Sequence, residues 1–329
     1  MMHLRTFNNG PAVSEVGIGC WQMGGTEWGE VSDDEALGAL RGSAEAGVTF
    51  IDTADIYGGG RSEQLVGRFL KEAGRDKFFV ATKLGRSSNP GWPANFTAKV
   101  IREHTEGSLK RLGVDAIDLT QLHCVPLGAL QSDEVWDALR ALKQEGKIKR
   151  FGASVESTAE AKECLKRPDC SSLQIIFNIF RQTPAFEIFD QCTKQNVAVI
   201  VRLPLASGLL AGKYTANTTF TANDHRTYNA NGEKFNVGET FAGLGFKKGL
   251  ELTERLKPLV PSGMNMAQMA LRWCLDFPAV TTVIPGARNR AQAAGNASAS
   301  EVPPLSKELH EKLKSFFRND VKPHVRGPD

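Results

Sequence analysis

Nothing in this chain of 329 residues is in large excess. Its 40 basic side chains face 37 acidic ones, a formal net charge of +3. That balance argues against nucleic acid or an anionic membrane as the main partner, though it leaves room for a local basic pocket around one phosphorylated ligand. Cysteine is scarce. The six (Cys20, Cys124, Cys164, Cys170, Cys192, Cys274) form no Cys-x-x-Cys pair, the pattern of free thiols in a reducing compartment. The stretch Met1 to Gly10 has no apolar signal core, and no run approaches ~18 apolar residues, so a cytoplasmic protein without a membrane partner is expected. Of six histidines only His123 ends an apolar run, and there is no His-x-His pair; a metal-dependent hydrolase lacks its ligands here and no metal is expected. A Gly-x-Gly-x-x-Gly turn between an early strand and helix is also missing, which argues against a Rossmann dinucleotide fold.

What is present is alternation. Hydrophobic residues make up 41% of the chain, enough for a full core. Strand-like apolar runs fall near 16–20, 48–52, 78–82, 117–122, 148–153, 173–177, 197–203 and 279–284. Between them lie helix signals. Ser32 with Glu35 and Ser157 with Glu160 fit capping boxes, Ser62 reads as an N-cap, and Thr183-Pro184 puts proline at a first helical position. Val135, Leu139 and Leu142 recur at helical spacing before a stop at Gly146. One helix between successive strands makes a parallel sheet, and eight such units close into a (β/α)8 barrel. We therefore expect an α/β fold of one domain over 1–329. It begins with a short N-terminal segment turning at Asn8-Asn9-Gly10-Pro11 and carries one long insertion at 214–262. That insertion holds Tyr214, Phe220, His225, Arg226, Tyr228, Phe235 and Phe241, too aromatic for a disordered linker. It reads as an ordered flap over the barrel mouth, with a helix near 244–257.

Reactive groups in such a barrel collect at the C-terminal ends of the strands. Asp52, Lys83 and His123 each end a predicted strand, and Tyr57 follows Asp52 on the glycine-rich turn Tyr57-Gly58-Gly59-Gly60. A phenol with pKa near 10 is a weak acid at neutral pH and needs a cation nearby. Lys83 supplies one, and Asp52 keeps that lysine charged. His123 presents an N–H to a substrate oxygen. In kind, order and position these four residues resemble the catalytic tetrad of the aldo-keto reductases, and the resemblance runs from Gly17-Ile18-Gly19-Cys20-Trp21 to about Asn296.

The resemblance implies an oxidoreductase that reduces an aldehyde or ketone to an alcohol. Hydride comes from NADPH (NAD possible) lying extended across the barrel mouth, and the proton from Tyr57. It also implies the residues that hold the dinucleotide. Ser154 and Gln174 meet the nicotinamide amide. Pro204, Leu205, Gly208, Leu210 and Lys213 belong to the segment that wraps the pyrophosphate. Gly286, Arg288, Gln292 and Asn296 meet the adenosine end, and Cys20, Trp21 and Arg202 complete the site. Trp21, Trp28 and Trp92, with residues of the insertion, are the expected substrate walls. Three departures stand out. Val155 replaces an asparagine frequent beside Ser154, and Arg202 replaces an aromatic ring that stacks on nicotinamide in many members. Gly286 and Gln292 replace basic residues that grip a 2′-phosphate, leaving Arg288 for that task. The alternative is a cofactor-binding regulatory protein with little turnover, similar to the potassium-channel β-subunits. The expected partner is a small carbonyl substrate, with no nucleic acid.

Overall fold

A computed structural model describes residues 1–25 and 27–328. The chain opens with an antiparallel hairpin, β1 (Leu4–Thr6) and β2 (Ala12–Ser14). Its turn places Asn8 and Asn9 at φ of 47° and 53°, a left-handed region that asparagine tolerates better than most residues. Sequence patterning anticipated the turn but not the strands, which are only three residues each. The hairpin plugs the floor of the barrel. Phe7 and Val13 are fully buried in one cluster with Phe50, Phe79, Leu119 and Ile200, and the Phe7 and Phe79 ring centroids lie 4.7 Å apart.

Eight parallel strands follow in sequential order: β3 (Ile18–Gly19), β4 (Phe50–Asp52), β5 (Phe79–Leu84), β6 (Leu119–His123), β7 (Phe151–Ser154), β8 (Ser172–Ile176), β9 (Ala198–Arg202) and β10 (Val280–Val283). Bridges Val16–Val283 and Gly19–Gly286 join the first strand to the last and close the (β/α)8 barrel. Strands covered on both faces read as near-continuous apolar runs, which is why apolarity alone located all eight.

Helices cover the outside. The helix Asp33–Glu45 starts at a complete Ser32/Glu35 capping box, and Thr158–Cys164 at one made by Ser157 and Glu160. The helix Asp133–Gln144 buries Val135, Trp136, Leu139 and Leu142 as its spacing requires. Two boundaries differ from the sequence reading. Ser62 is not an N-cap. Gly60, at φ 97°, takes that place before the helix Arg61–Ala73, and Ser62 is buried, donating to Cys20 O at 2.9 Å. Pro184 is the second residue of the helix Thr183–Glu187, one place later than expected.

The insertion is ordered by short turns, His225–Tyr228, Val237–Glu239 and Phe241–Gly243, before the helix Phe246–Leu256. Tyr214, Phe220, Phe241 and Phe246 pack ring on ring with centroids 5.3–5.9 Å apart. Such pairs add about 0.5–1.5 kcal/mol each beyond area burial. Tyr214 Oη donates to Ser207 O at 3.0 Å, and Ser207 Oγ donates to Glu239 O at 3.0 Å. These bonds tie the insertion to the segment just after β9, across the mouth.

Candidate active site

β4, β5 and β6 end side by side, so the last residues of the three are neighbours. Register pairs Asp52 with Ala81 and Lys83 with Gln121, and the pleat turns Asp52 and Lys83 into the barrel. Lys83 Nζ lies 2.5 Å from Asp52 Oδ1, 2.9 Å from Thr53 O and 3.2 Å from Tyr57 Oη, donating to all three. Asp52 Oδ2 accepts from Gln174 Nε2 at 2.8 Å and from Gln121 Nε2 at 3.3 Å. The ion pair is therefore buried with its remaining oxygen satisfied, the condition under which a buried pair is tolerated. The Tyr57 and His123 rings meet edge to face at 5.8 Å.

Electrostatics follow from burial. Burial, the largest single influence, would lower the Lys83 pKa, but Asp52 and Tyr57 together outweigh it and the net shift is upward, so Lys83 is an ammonium ion. Burial pushes Tyr57 up to about 12, against the pull of Lys83, so the phenol holds its proton at neutral pH. Burial, and then the charges of Arg86, Lys83 and Arg202, hold His123 well below the usual imidazole range. The site thus presents a protonated phenol touching a cation, beside a neutral imidazole. That set can hydrogen-bond a carbonyl oxygen and deliver a proton to it.

These groups sit at one end of a cavity of about 850 Å³ that runs along the ends of β9 and β10. Trp21, Trp28, Gln174, Arg202, Pro204, Leu205, Gly208, Lys213, Gly286, Arg288, Gln292 and Asn296 all line it. Four residues expected there from sequence fall elsewhere. Cys20 and Leu210 are buried in the core, and Ser154 lies behind the wall with its hydroxyl in no hydrogen bond. Trp92 is 56% exposed on a loop outside the cavity, its indole donating to Cys124 O at 3.1 Å. Gln174 gives its amide nitrogen to Asp52 and Gln121, so it braces the ion pair from below.

The cavity also includes residues that sequence patterning did not single out, chiefly Gln22, Glu27, Arg86 and Glu239. Glu239 comes from the insertion and reaches Arg202 at 3.2 Å and Arg86 at 3.8 Å. Burial would raise its pKa, but Arg202 and Arg86 hold it down and it is ionised. Arg202 Nη2 donates to Val155 O at 3.3 Å. A charged residue in a polar, irregular loop gives no periodic signal, so only the position of Arg86 three residues after Lys83 could have flagged any of these.

The far end is a polar cradle built around a helix N-terminus. Asn289 caps the helix Arg290–Ala297, accepting from Gln292 N at 2.9 Å, and leaves other first-turn N–H groups open to an anion. Gln292 Oε1 accepts from Arg288 N at 2.9 Å, and Asn296 Nδ2 donates to Gly286 O at 3.1 Å. The Arg288 guanidinium donates to Glu30 O at 2.8 Å, crossing from the β10 side of the cavity to the β3 side. Glycine is required where the walls close in. A Cβ at Gly286 would lie 2.1 Å from Gln22 Oε1, and one at Gly208 would lie 2.2 Å from Tyr214 Oη. Buried atoms in no hydrogen bond, Gln22 Oε1 and Arg202 Nε, belong to residues lining the same space. A nicotinamide dinucleotide would fit this lining, with Pro204 to Gly208 and Lys213 available to its pyrophosphate and Gly286 to Asn296 to its adenosine.

The chain is similar to known proteins along nearly its whole length. The family model for the aldo/keto reductase family matches residues 15–318. The chain is 29% identical to aldo-keto reductase YhdN of Bacillus subtilis over 98% of this chain and 95% of the relative. It is 28% identical to aldo-keto reductase yakc [NADP(+)] of Schizosaccharomyces pombe over 88% of this chain and 84% of that one. The holo form of aldo-keto reductase AKR11C1 from Bacillus halodurans superimposes with a TM-score of 0.78, at 29% identity and 96% coverage of both chains. With the model matched over nearly its whole length, the chain belongs to the aldo/keto reductase family, whose members are NAD(P)H-dependent oxidoreductases.

Proposed function

We propose that this protein reduces an aldehyde or ketone to an alcohol with NADPH, using Asp52, Tyr57, Lys83 and His123. The observation that carries the reading is the contact of Lys83 Nζ with both Asp52 Oδ1 and Tyr57 Oη, at 2.5 and 3.2 Å. Bound in the cradle, a reduced nicotinamide supplies the hydride that the side chains cannot. His123 orients the substrate oxygen by an N–H bond. As negative charge develops on that oxygen, Tyr57 transfers its proton, and Lys83 stabilises the phenolate left behind. Asp52, Gln121 and Gln174 hold Lys83 charged and aimed. The flap, closing over Trp21 and Trp28 through His225, excludes water from the reacting groups. NADPH is the cofactor of choice because Arg288 stands beside the adenosine end, and because a relative over most of the chain carries NADP(+) in its name. A regulatory role with little turnover gains nothing from a proton donor already paired with its cation.

The test is steady-state oxidation of NADPH with a panel of aldehydes, sugars and ketones, wild type against Tyr57→Phe. Turnover that needs Tyr57 supports the reading. Turnover indifferent to Tyr57, or none with any carbonyl, overturns it.

A further inference from the structure

At the substrate end of the cavity one guanidinium, that of Arg86, has no carboxylate within hydrogen-bonding reach among the described residues. Arg86 follows β5 and lines the cavity with its side chain 26% exposed. Among the described residues its guanidinium makes a single hydrogen bond, a weak one of 3.8 Å to Cys124 Sγ. The nearest carboxylate, Glu239 Oε1, is also 3.8 Å away, beyond hydrogen-bonding reach, and is drawn closer to Arg202 at 3.2 Å. Two guanidinium groups thus share one ionised carboxylate. The other acid of this corner, Glu156, is raised to about 7 by burial and by Glu239. Across the cavity Glu27 is already engaged, accepting from Trp21 Nε1 and, at 3.4 Å, from Tyr228 Oη.

The surroundings place Arg86 in the same chamber as the proton donor. Cys124, its one hydrogen-bond partner among the described residues, is the residue after His123. A chain of rings frames the chamber: Tyr57 and Trp21 centroids are 6.0 Å apart, Trp21 and Phe235 6.0 Å, and Arg86 stands 5.6 Å from the Phe235 centroid. A guanidinium with its N–H fork open to a cavity, set beside an aromatic ring, is suited to bind a carboxylate in bidentate fashion.

We propose that Arg86 is a specificity-determining residue that binds a carboxylate on the substrate, so that the preferred substrates are aldehydes or ketones bearing an acid group a short spacer away from the carbonyl. This rests on the reductase reading above. In the productive complex the carbonyl oxygen faces Tyr57 and His123 while the carboxylate faces Arg86, and neutral analogues leave the guanidinium unpaired. The aromatic walls hold the spacer by contact alone, so spacer chemistry is weakly selected and charge strongly.

The experiment compares 4-oxobutanoate and 4-carboxybenzaldehyde, each with its methyl ester, on wild type, Arg86→Gln and Arg86→Lys. Wild type should favour at least one acid over its ester by roughly 10- to 100-fold in kcat/KM, the range of a hydrogen bond to a charged group. Arg86→Gln should bring that ratio close to one, and Arg86→Lys, a point charge without the fork, should keep an intermediate ratio. Esters turned over as well as both acids, or an acid preference untouched in Arg86→Gln, would overturn the inference. Binding of the same compounds, followed by quenching of tryptophan fluorescence, separates the two readings. If no NADPH is oxidised, the reductase reading fails. The Kd ratio of acid to ester, and its loss in Arg86→Gln, then decides the inference about Arg86 by itself.

Discussion

At the strand-end side of the cavity Asp52, Lys83 and His123 are 2%, 1% and 6% exposed, and each is set by a backbone in regular sheet. At the far side Arg288, on the turn after β10, and Gln292, in the first turn of the helix Arg290–Ala297, are exposed, their positions set by hydrogen bonds to each other, to Glu30 O and to the cap residue Asn289. One end keeps its geometry because moving a buried charge is costly. The other keeps its geometry only as well as a few solvated bonds allow. On the function proposed above, the same division would separate a reaction centre, where a small displacement costs rate, from a binding grip, where a charged contact works over a range of positions. Variants at the two ends should therefore fail differently.

The largest effect is expected on stability at the buried end. Lys83→Met leaves the Asp52 carboxylate with only the amides of Gln121 and Gln174. Breaking a buried pair by removing one partner costs about 3–5 kcal/mol. Urea denaturation should show a loss of that size, with activity depressed as well. A loss below about 1 kcal/mol would mean that the pair is not what organises this end.

Next comes pH. Two residues before Tyr57, Asp55 has its side chain 6% exposed, with His104 Nδ1 at 3.3 Å. Burial, then the nearby Glu63, raises Asp55 to about 7, against Arg111 and Lys83. Its unfolded value is near 3.9. Between those two values the native state holds more protons than the unfolded one, so this group makes stability fall as pH rises from about 4 to about 7. Asp55→Asn removes that dependence. It should match wild type near pH 4 and exceed it by up to about 4 kcal/mol at pH 8, since each tenfold change in proton affinity is worth about 1.36 kcal/mol. Denaturation curves that stay parallel for the two proteins at both pH values would show that Asp55 ionises as an ordinary exposed acid.

Tyr57→Phe acts on rate alone. The ring keeps its contacts with Trp21 and His123, and only the hydroxyl at 3.2 Å from Lys83 Nζ is lost. We expect kcat to drop by at least ~100-fold, the low end for a general acid, or about 2.7 kcal/mol, with NADPH affinity nearly unchanged. Weakened NADPH binding in this variant would join the two ends of the cavity that the structure keeps apart.

The same contrast explains what could be read from sequence. The eight strands were legible because strands covered on both faces must be apolar, and Asp52, Lys83 and His123 stood out because each interrupts such a run at its end. The hairpin at β1 and β2 was missed because three-residue strands carry no period. Glu239 and Arg86 were missed because neither interrupts a pattern. Glu239 enters the site through three-residue turns, with Phe241 and Ala242 at φ of 51° and 56°, a fold dictated by ring packing and the Ser207 bonds rather than by periodicity. Ser62 was misread because a serine ahead of a helix looks like a cap, whereas here glycine at φ 97° makes the turn and the serine hydroxyl meets Cys20 O and Thr53 Oγ1.

The smallest effect, and the one that most sharpens the comparison, belongs to Arg288. Its guanidinium now donates to Glu30 O at 2.8 Å, while its backbone N–H holds Gln292 Oε1. Arginine at the start of a helix opposes the helix dipole, so an anion beside it would relieve that conflict. Of the basic residues lining the cavity it stands nearest the helix Arg290–Ala297, where a 2′-phosphate would rest. Arg288→Ala should weaken NADPH binding by roughly 1.5–3 kcal/mol, the range of a hydrogen bond to a charged group, and leave NADH nearly unaffected. The backbone bond to Gln292 survives the substitution, so the turn itself should keep its shape. Fluorescence titration of both cofactors against both proteins measures the difference. Equal losses for NADPH and NADH would show that Arg288 acts by clasping the two sides of the cavity through Glu30, a structural role, and NADPH preference would then have to come from Lys213 or the open N–H groups of the helix.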